Sequence, residues 1–427
     1  MIISAIVSLA ILLSTVFSIP VSAVNFGDSN FGFAGGGGSS SGGGGGGGFS
    51  GGSSYSHSSS SSSSNSSDDE DPFILTFTLI IVVIIVIFSF KSSGKITKRS
   101  RKYNSIETKI IGDANQIFLQ YQKDWTEFNK KNIKTYTTLG YGKHADLMLE
   151  LLQNLHRTNK VSQVKISNTY LITKVNENTP LPIEVRVEFT FSGLDEVITD
   201  DGQKLYSQYV PSANETWNFV YDGKALKLSG ITQPTESSSH LIRSLAEFAK
   251  EHKLYYSPDW GRYALPSRGL IFGGASMKIA DINNHIIGKW GDLLIQLYTY
   301  AETPDQTTNN YYIVGQINVP KNYLGVIVKS HNFKSGHKPD KSYDKFELEW
   351  NEFNKRYEVY AASRDALPAF ELLNPKFMEF LYSKNPSYSL EVVDNVIYIY
   401  APITTITERD YEDLLEVLQK AYDELKM

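Results

Sequence analysis

Glu215–Ile231, ETWNFVYDGKALKLSGI, decides the fold class of this chain. Glu215–Tyr221 and Lys224–Ile231 read as strands on either side of Asp222-Gly223. An Asp-Gly pair is a strong hairpin signal, because glycine accepts the positive φ that a two-residue turn needs. Just upstream, Ile183, Val185, Val187, Phe189 and Phe191 alternate strictly with polar residues, and Val161–Val175 holds a further strand. Before these the period changes. Ile110, Ala114, Ile117, Phe118, Tyr121, Trp125 and Phe128 make one helical stripe, and Leu147, Met148, Leu151, Leu152 and Leu155 mark a second helix. Two helices followed by an antiparallel meander predict an α+β domain over 103–235.

Downstream, the polar linker Gln233–Ser239 leads into a second α+β domain over 240–427. A helix is predicted over His240–His252. Strands are expected around Gly269–Phe272, Leu293–Tyr300, Tyr311–Val319 and Gly325–Val328, and Phe346–Trp350 and Tyr357–Ala361 read as strands around a turn. Helices follow over Ser363–Leu373 and Pro375–Tyr382, the latter with Asn374 as cap and Pro375 at the first helical position. Tyr388–Val393 and Val396–Tyr400 flank Asp394-Asn395, which reads as another hairpin. Tyr411, Leu414, Leu415, Leu418, Tyr422 and Leu425 form a closing amphipathic helix with Thr407 as its cap.

The first hundred residues have another character. Residues 1–23 read as a secretory signal, with small residues Val21-Ser22-Ala23 before the cleavage point but no Lys or Arg at the start. An uncleaved first helix is the alternative. Residues 24–72 are Gly/Ser-rich and end in acids; they hold too little apolar surface to offset the cost of ordering, so a disordered extracytoplasmic segment is expected. The glycine run is not a phosphate loop, which needs a preceding strand, a following helix and a Lys-Ser/Thr pair. Residues 73–90, FILTFTLIIVVIIVIFSF, are nearly all apolar. As a helix they reach roughly 27 Å, close to a bilayer core, so one transmembrane helix is expected. Lys91, Lys95, Lys98, Arg99, Arg101 and Lys102 follow in the basic segment 91–102. They place the N-terminus outside and the body in the cytoplasm, and they are the candidates for contact with anionic lipid.

Composition narrows the chemistry. There is no cysteine, which removes disulfides, thiolate metal sites and cysteine nucleophiles, and the net charge of −5 argues against a nucleic-acid partner. His144 and His156, and His331 and His337, lack metal-ligand spacing. Gly273-Gly274-Ala275-Ser276 is not a nucleophile elbow. Asp195, Glu196, Asp200 and Asp201 in LDEVITDDG are candidates for a pocket mouth, although Asp200-Asp201-Gly202 also reads as a solvated hairpin loop. Tyr255, Tyr256, Trp260, Tyr263 and Pro266 form an aromatic cluster suited either to a peptide or glycan or to packing on its own sheet. No cofactor is expected.

The segment 103–235 resembles the inner-membrane translocase subunit 44-like family. The resemblance rests on Phe118, Gln122 and Trp125 in FLQYQKDWTEFN, on ADLMLELLQNL, on IEVRVEFTF and on the terminal hairpin. Trp217-Asn218-Phe219 matches the family's first aromatic pair; Leu226 and Leu228 stand where its second pair would be Trp-x-Leu. The resemblance implies an NTF2-like cone of long helices on a curved antiparallel sheet, with a pocket whose candidate lining is Phe118, Trp125, Phe189 and Trp217. It also implies a role in scaffolding at a membrane. The segment 240–427 resembles a bacterial domain of unknown function, on FELEWNEFNKRYEVYAASRDALPAFELLNPKFMEFLYS, with Asn374 where that family usually has Thr. The apolar span, two ordinary folded domains and the lack of a catalytic constellation lead to the expectation of a single-pass protein of a bacterial cytoplasmic (inner) membrane. Two non-catalytic domains would serve as an interaction or assembly platform for unidentified protein partners, with anionic lipids as a further partner. The alternative is a lipid or small apolar ligand bound in the cone.

Overall fold

A computed structural model describes residues 101–232, 240–261, 263–273, 281–302, 310–333 and 338–425. The signal, the Gly/Ser tract, the span at 73–90 and the basic residues Lys91, Lys95, Lys98 and Arg99 lie outside the described residues. Among the described residues no helix is long and apolar enough to cross a membrane. The described chain is α+β, with antiparallel sheets and helices packed on them.

The first part opens with α1 (Ser105–Thr126), α2 (Lys130–Tyr136) and α3 (Leu139–Asn154). Four antiparallel strands follow in the order β1 (Arg157–Leu171), β2 (Ile183–Thr199), β3 (Lys204–Tyr221), β4 (Leu226–Thr232). The stripe of α1 buries Ile110, Ala114, Phe118, Tyr121 and Trp125. It meets the inward residues of β2, Val185, Val187, Phe189 and Phe191, which alternate with outward polar ones as the period-two pattern requires. Gly223 has φ +95, and the Asp222 carboxylate accepts the N–H groups of Lys224 and Ala225 at 2.8 Å, so the hairpin turn forms as its sequence dictates. Three helices stand where two were expected. The extra one, α2, is a short polar segment whose apolar period is too brief to register; the Asn129 side chain caps it by accepting from Asn132 N–H.

The second part is a seven-stranded sheet. Its strands are β5 (Tyr255–Gly261), β6 (Asp281–Trp290), β7 (Leu293–Glu302), β8 (Asn310–Ser330), β9 (Tyr343–Phe346), β10 (Tyr357–Ala362) and β11 (Ser389–Pro402). The helices are α4 (His240–Glu251), α5 (Asn351–Arg356), α6 (Ala366–Leu372), α7 (Pro375–Ser383) and α8 (Glu408–Leu425). β8 is the spine. β11 pairs along most of one edge, while β7 pairs with the first half of the opposite edge and β10 with the last five residues. One face carries Ile295, Leu297, Ile313, Ile317, Ile397 and Ile399 and packs against Leu245 of α4, Phe377 and Leu381 of α7 and Leu414 and Leu418 of α8. Gly315 lies directly under α8, where an added Cβ would stand 2.7 Å from Leu414 and Leu418.

Several expectations are corrected here. Asp394-Asn395 is not a hairpin: β11 runs through it as one strand, with Asp394 at φ +51 and a register shift on each side, the signature of a bulge. Tyr311–Val319 and Gly325–Val328 are likewise one strand. Pro320 is tolerated because neither β7 nor β10 pairs with that stretch of the edge, so no N–H is missed. Gly269–Phe272 is not a strand but ends in a 3₁₀ turn, Leu270–Phe272. α5 occupies the turn expected between Phe346–Trp350 and Tyr357–Ala361, and β9 lies earlier, at Tyr343–Phe346. β5 and β6 were not expected at all. The Asn374 cap forms, accepting from Phe377 N–H at 3.0 Å. Thr407 caps α8 in the reverse sense: its N–H and hydroxyl donate to the Asp410 carboxylate at 2.8 and 2.7 Å.

Candidate functional site

The two sheets belong to one compact unit, and buried polar side chains join them. Trp125 Nε1 donates to Asn159 Oδ1 at 3.0 Å, and Asn159 Nδ2 donates to Asp195 Oδ1 at 2.6 Å. The Tyr263 hydroxyl, from the segment after β5, donates to the other oxygen of Asp195. Arg157 donates to the carbonyls of Tyr263 and Leu265, and burial lowers its pKa to about 10. On another side of the junction His144 of α3 stacks on Tyr255 of β5, with ring centroids 5.4 Å apart, and its Nε2 meets Ser257 Oγ at 3.2 Å. Burial pushes His144 down to about 3, so it is neutral at physiological pH.

A cleft of about 670 Å³ lies at this junction. Its origin is the ladder of β8. β7 stops pairing at Ile317 and β10 begins at Val326, so the backbone between them is open on that edge. The bulge of β11 opens the opposite edge at the same level. Asn318, Asn322 and Tyr323 of the open stretch line the cleft, with Asp394 and Asn395 of the bulge. The floor comes from the sheet face opposite the helices. Gln296, Gln316 and Tyr398 are paired across three neighbouring strands and all line it. The C-terminal end of α3 forms another wall, and Arg268 and Arg364 stand at the sides.

The floor is fixed from behind. The Tyr298 hydroxyl donates to Gln316 Oε1 at 2.8 Å, and His285 Nε2 contacts Gln296 Oε1 at 3.0 Å. Burial lowers His285 to about 4, so it meets that oxygen as a neutral ring donating from Nε2. Beside the cleft Glu391 is buried and accepts the N–H of Leu270 at 2.6 Å. Burial raises its carboxyl to about 7, against the opposing pull of that N–H and of Arg268. The chemistry on offer is dense in side-chain amides, with two guanidiniums and a single lining carboxylate, Asp394.

Of the residues weighed in the sequence as candidates for binding or chemistry, His156 lines this cleft, at its rim, and pairs with Asp200 at 2.9 Å; Asp394 and Asn395, read as a turn, line it as well. Phe118, Trp125, Phe189 and Trp217 are brought together, but as core. Each is at most 1% exposed, and the Phe118 ring lies 4.6 Å from Phe189 and 4.8 Å from Trp217. Neither this cleft nor a shallower groove beside α1 is lined by any of the four. Large rings that meet at van der Waals distance leave no room between them. The carboxylates of LDEVITDDG divide: Asp195 and Glu196 are buried, while Asp200 and Asp201 form the exposed turn. Of the basic segment, Arg101 and Lys102 are described, Arg101 lying over the Tyr103 ring at 5.4 Å. Of the aromatic cluster, Tyr263 is buried and Tyr255 is half-buried. Among the described residues no group of three or more His, Asp or Glu could hold a metal ion. Sequence reasoning missed the cleft, although the alternation of Gln296, Tyr298 and Tyr300 with Ile295 and Leu297 marked a second, polar sheet face.

No protein family's sequence profile matches the chain. No curated protein matches it either. A search of solved structures finds the crystal structure of the mycobacterial trehalose monomycolate transport factor A, TtfA, at 14% identity and a TM-score of 0.34, over 44% of this chain and 94% of that one.

Proposed function

We propose that the chain is a single-pass membrane protein whose folded body acts as a non-catalytic protein-interaction platform at the membrane surface. The observation that carries this reading is how three of the buried carboxylates, Asp124, Asp195 and Asp365, are used. Asp124 accepts from Gln120, Asn129, Asn132 and Tyr136 at 2.7–3.0 Å and so ties α1 to α2. Asp195 ties the first sheet to the segment after β5. Asp365 accepts the N–H groups of Leu324 and Gly325 and so ties the 3₁₀ turn after β10 to β8. A general acid or base must face its substrate; these carboxylates face other elements of the same body.

The tether is read from Phe73–Phe90 and the six cations after it, whose excess favours the cytoplasmic side of a bacterial inner membrane. On this reading α1, α3 and the first sheet form an NTF2-like cone, in keeping with the translocase subunit 44-like resemblance. The register shifts between β1 and β2 are the kind of irregularity that curves such a sheet. The aromatic core between α1 and the sheet gives no support to an apolar ligand there.

The platform is tested by cross-linking the tagged full chain in its native membranes, solubilising, and purifying under denaturing wash. A discrete protein recovered in near-stoichiometric yield is expected. Recovery of the chain alone from well cross-linked membranes contradicts the platform.

A further inference from the structure

Gln296 of the cleft floor is fully buried, and its amide nitrogen has no hydrogen-bond partner among the described residues. Exchanging the amide oxygen and nitrogen changes little: one end meets His285 and the other faces the cleft. A buried amide group left unpaired is costly and is rare unless something arrives to meet it. Arg157 does not line the cleft but interacts electrostatically with Tyr398 of its floor. Arg157 is 5% exposed, donates only to two backbone carbonyls, and makes no ion pair among the described residues. Buried charges ordinarily have a counter-charge. At the cleft wall Arg364 makes neither a hydrogen bond nor an ion pair among the described residues, and Arg268 shares only the half-exposed Asp394 at 3.5 Å.

The two lining guanidiniums disfavour a cation, and the amide walls disfavour an apolar ligand. A bare oxyanion would fill only a small part of 670 Å³, a volume within the range of small-molecule sites. Side-chain amides supply donors and acceptors together, which is what a set of hydroxyl groups requires. Guanidinium forks match the paired oxygens of a carboxylate or phosphate. We propose that the cleft binds a small hydroxyl-rich oxyanion, a phosphorylated sugar in chemical class. The anion is placed toward Arg268 and Arg364, and a hydroxyl or ring oxygen accepts from Gln296. At neutral pH Glu391 adds only a partial negative charge against such a ligand, because burial holds its carboxyl near 7.

The site is independent of the platform reading, since its test needs no protein partner. The full chain in detergent micelles is titrated calorimetrically with glucose 6-phosphate, and separately with glucose and with inorganic phosphate. Glucose 6-phosphate is expected to bind at least about tenfold more tightly than either fragment. Arg364→Gln removes a side chain with no partner among the described residues, so the melting temperature should hold while affinity falls about tenfold. Gln296→Glu keeps an oxygen for His285 and turns a carboxylate toward the ligand, and it should abolish binding. The proposal is overturned by no detectable binding of glucose 6-phosphate at about 10 mM, or by equal affinity for inorganic phosphate, which marks an adventitious ion only. Equal affinity for glucose, or an affinity unchanged in Arg364→Gln, overturns it as well.

Discussion

Asp195 shows how single side chains hold this protein together. Its two oxygens take Asn159 Nδ2 and the Tyr263 hydroxyl, and Asn159 in turn holds Trp125. Tyr263→Phe removes a donor that comes from outside the first sheet. Because the acceptor is a buried carboxylate, a loss of about 1.5–3 kcal/mol is expected in urea unfolding of the full chain. Asp195→Ala should cost more, about 2–6 kcal/mol, because the Asn159 amide and the Tyr263 hydroxyl lose their shared partner at once. Equal stability of Tyr263→Phe and the parent would remove Asp195 from this role. The sequence singled out Asp195, Glu196, Asp200 and Asp201 as chemical candidates; the Asp-Asp-Gly turn signal set the last two apart as a solvated loop, but nothing local showed what Asp195 would meet. Those partners are Asn159, 36 positions away, and Tyr263, 68 positions away. Periodicity placed Phe118, Trp125, Phe189 and Trp217 on inward faces correctly, but it carries no information on whether those faces enclose space or fill it.

Elements were legible wherever one face is apolar and the other polar. α1, α3, β2, the β3–β4 hairpin, α7 and α8 all follow from their own periods and caps. What failed was continuity. β8 and β11 each contain a polar interruption that reads as a loop, and their mutual pairing resumes on both sides of it. Propensity loses there to tertiary pairing. β6, DINNHIIGKW, was missed because its Asn-Asn and Gly-Lys pairs read as turns. The seating of α8 on β8 gives an element-scale prediction. At Gly315 an added side chain would enter the leucines of α8, so Gly315→Val should destabilise by about 1–3 kcal/mol through overpacking. Gly112 lies inside α1 and has open space where a Cβ would stand, so Gly112→Ala should stabilise by about 0.5–1 kcal/mol. Opposite signs in thermal melts of the two variants are the expected result.

At the scale of the molecule, stability should depend on pH through groups that sit at the junction. Glu391 has a folded pKa of about 7, above the ordinary carboxyl value of 4.5. The folded state therefore holds this proton longer than the unfolded chain, and stability falls as pH rises from about 4.5 to about 7, by on the order of 3 kcal/mol. His144 and His285 act in the other direction. Their folded values of about 3 and about 4 lie below the ordinary 6.5, so the stability they allow is present above 6.5 and is lost as pH falls toward 4. Glu391→Gln should remove the first slope and leave the second. Relative to the parent, the variant should gain stability as pH rises through that window; a constant difference would show that Glu391 does not titrate there. Since both sheets contribute buried groups to the junction, fluorescence and circular dichroism should report one coincident unfolding transition.

On the proposed function, the body is held at the inner face of a membrane by Phe73–Phe90. The direct measurement is protease accessibility of a C-terminally tagged full chain in intact spheroplasts, combined with alkaline carbonate extraction of the membranes. The chain is expected to stay in the carbonate pellet, with the tagged body protected until the spheroplasts are lysed. Release of the chain by carbonate, or digestion of the body in intact spheroplasts, would contradict it.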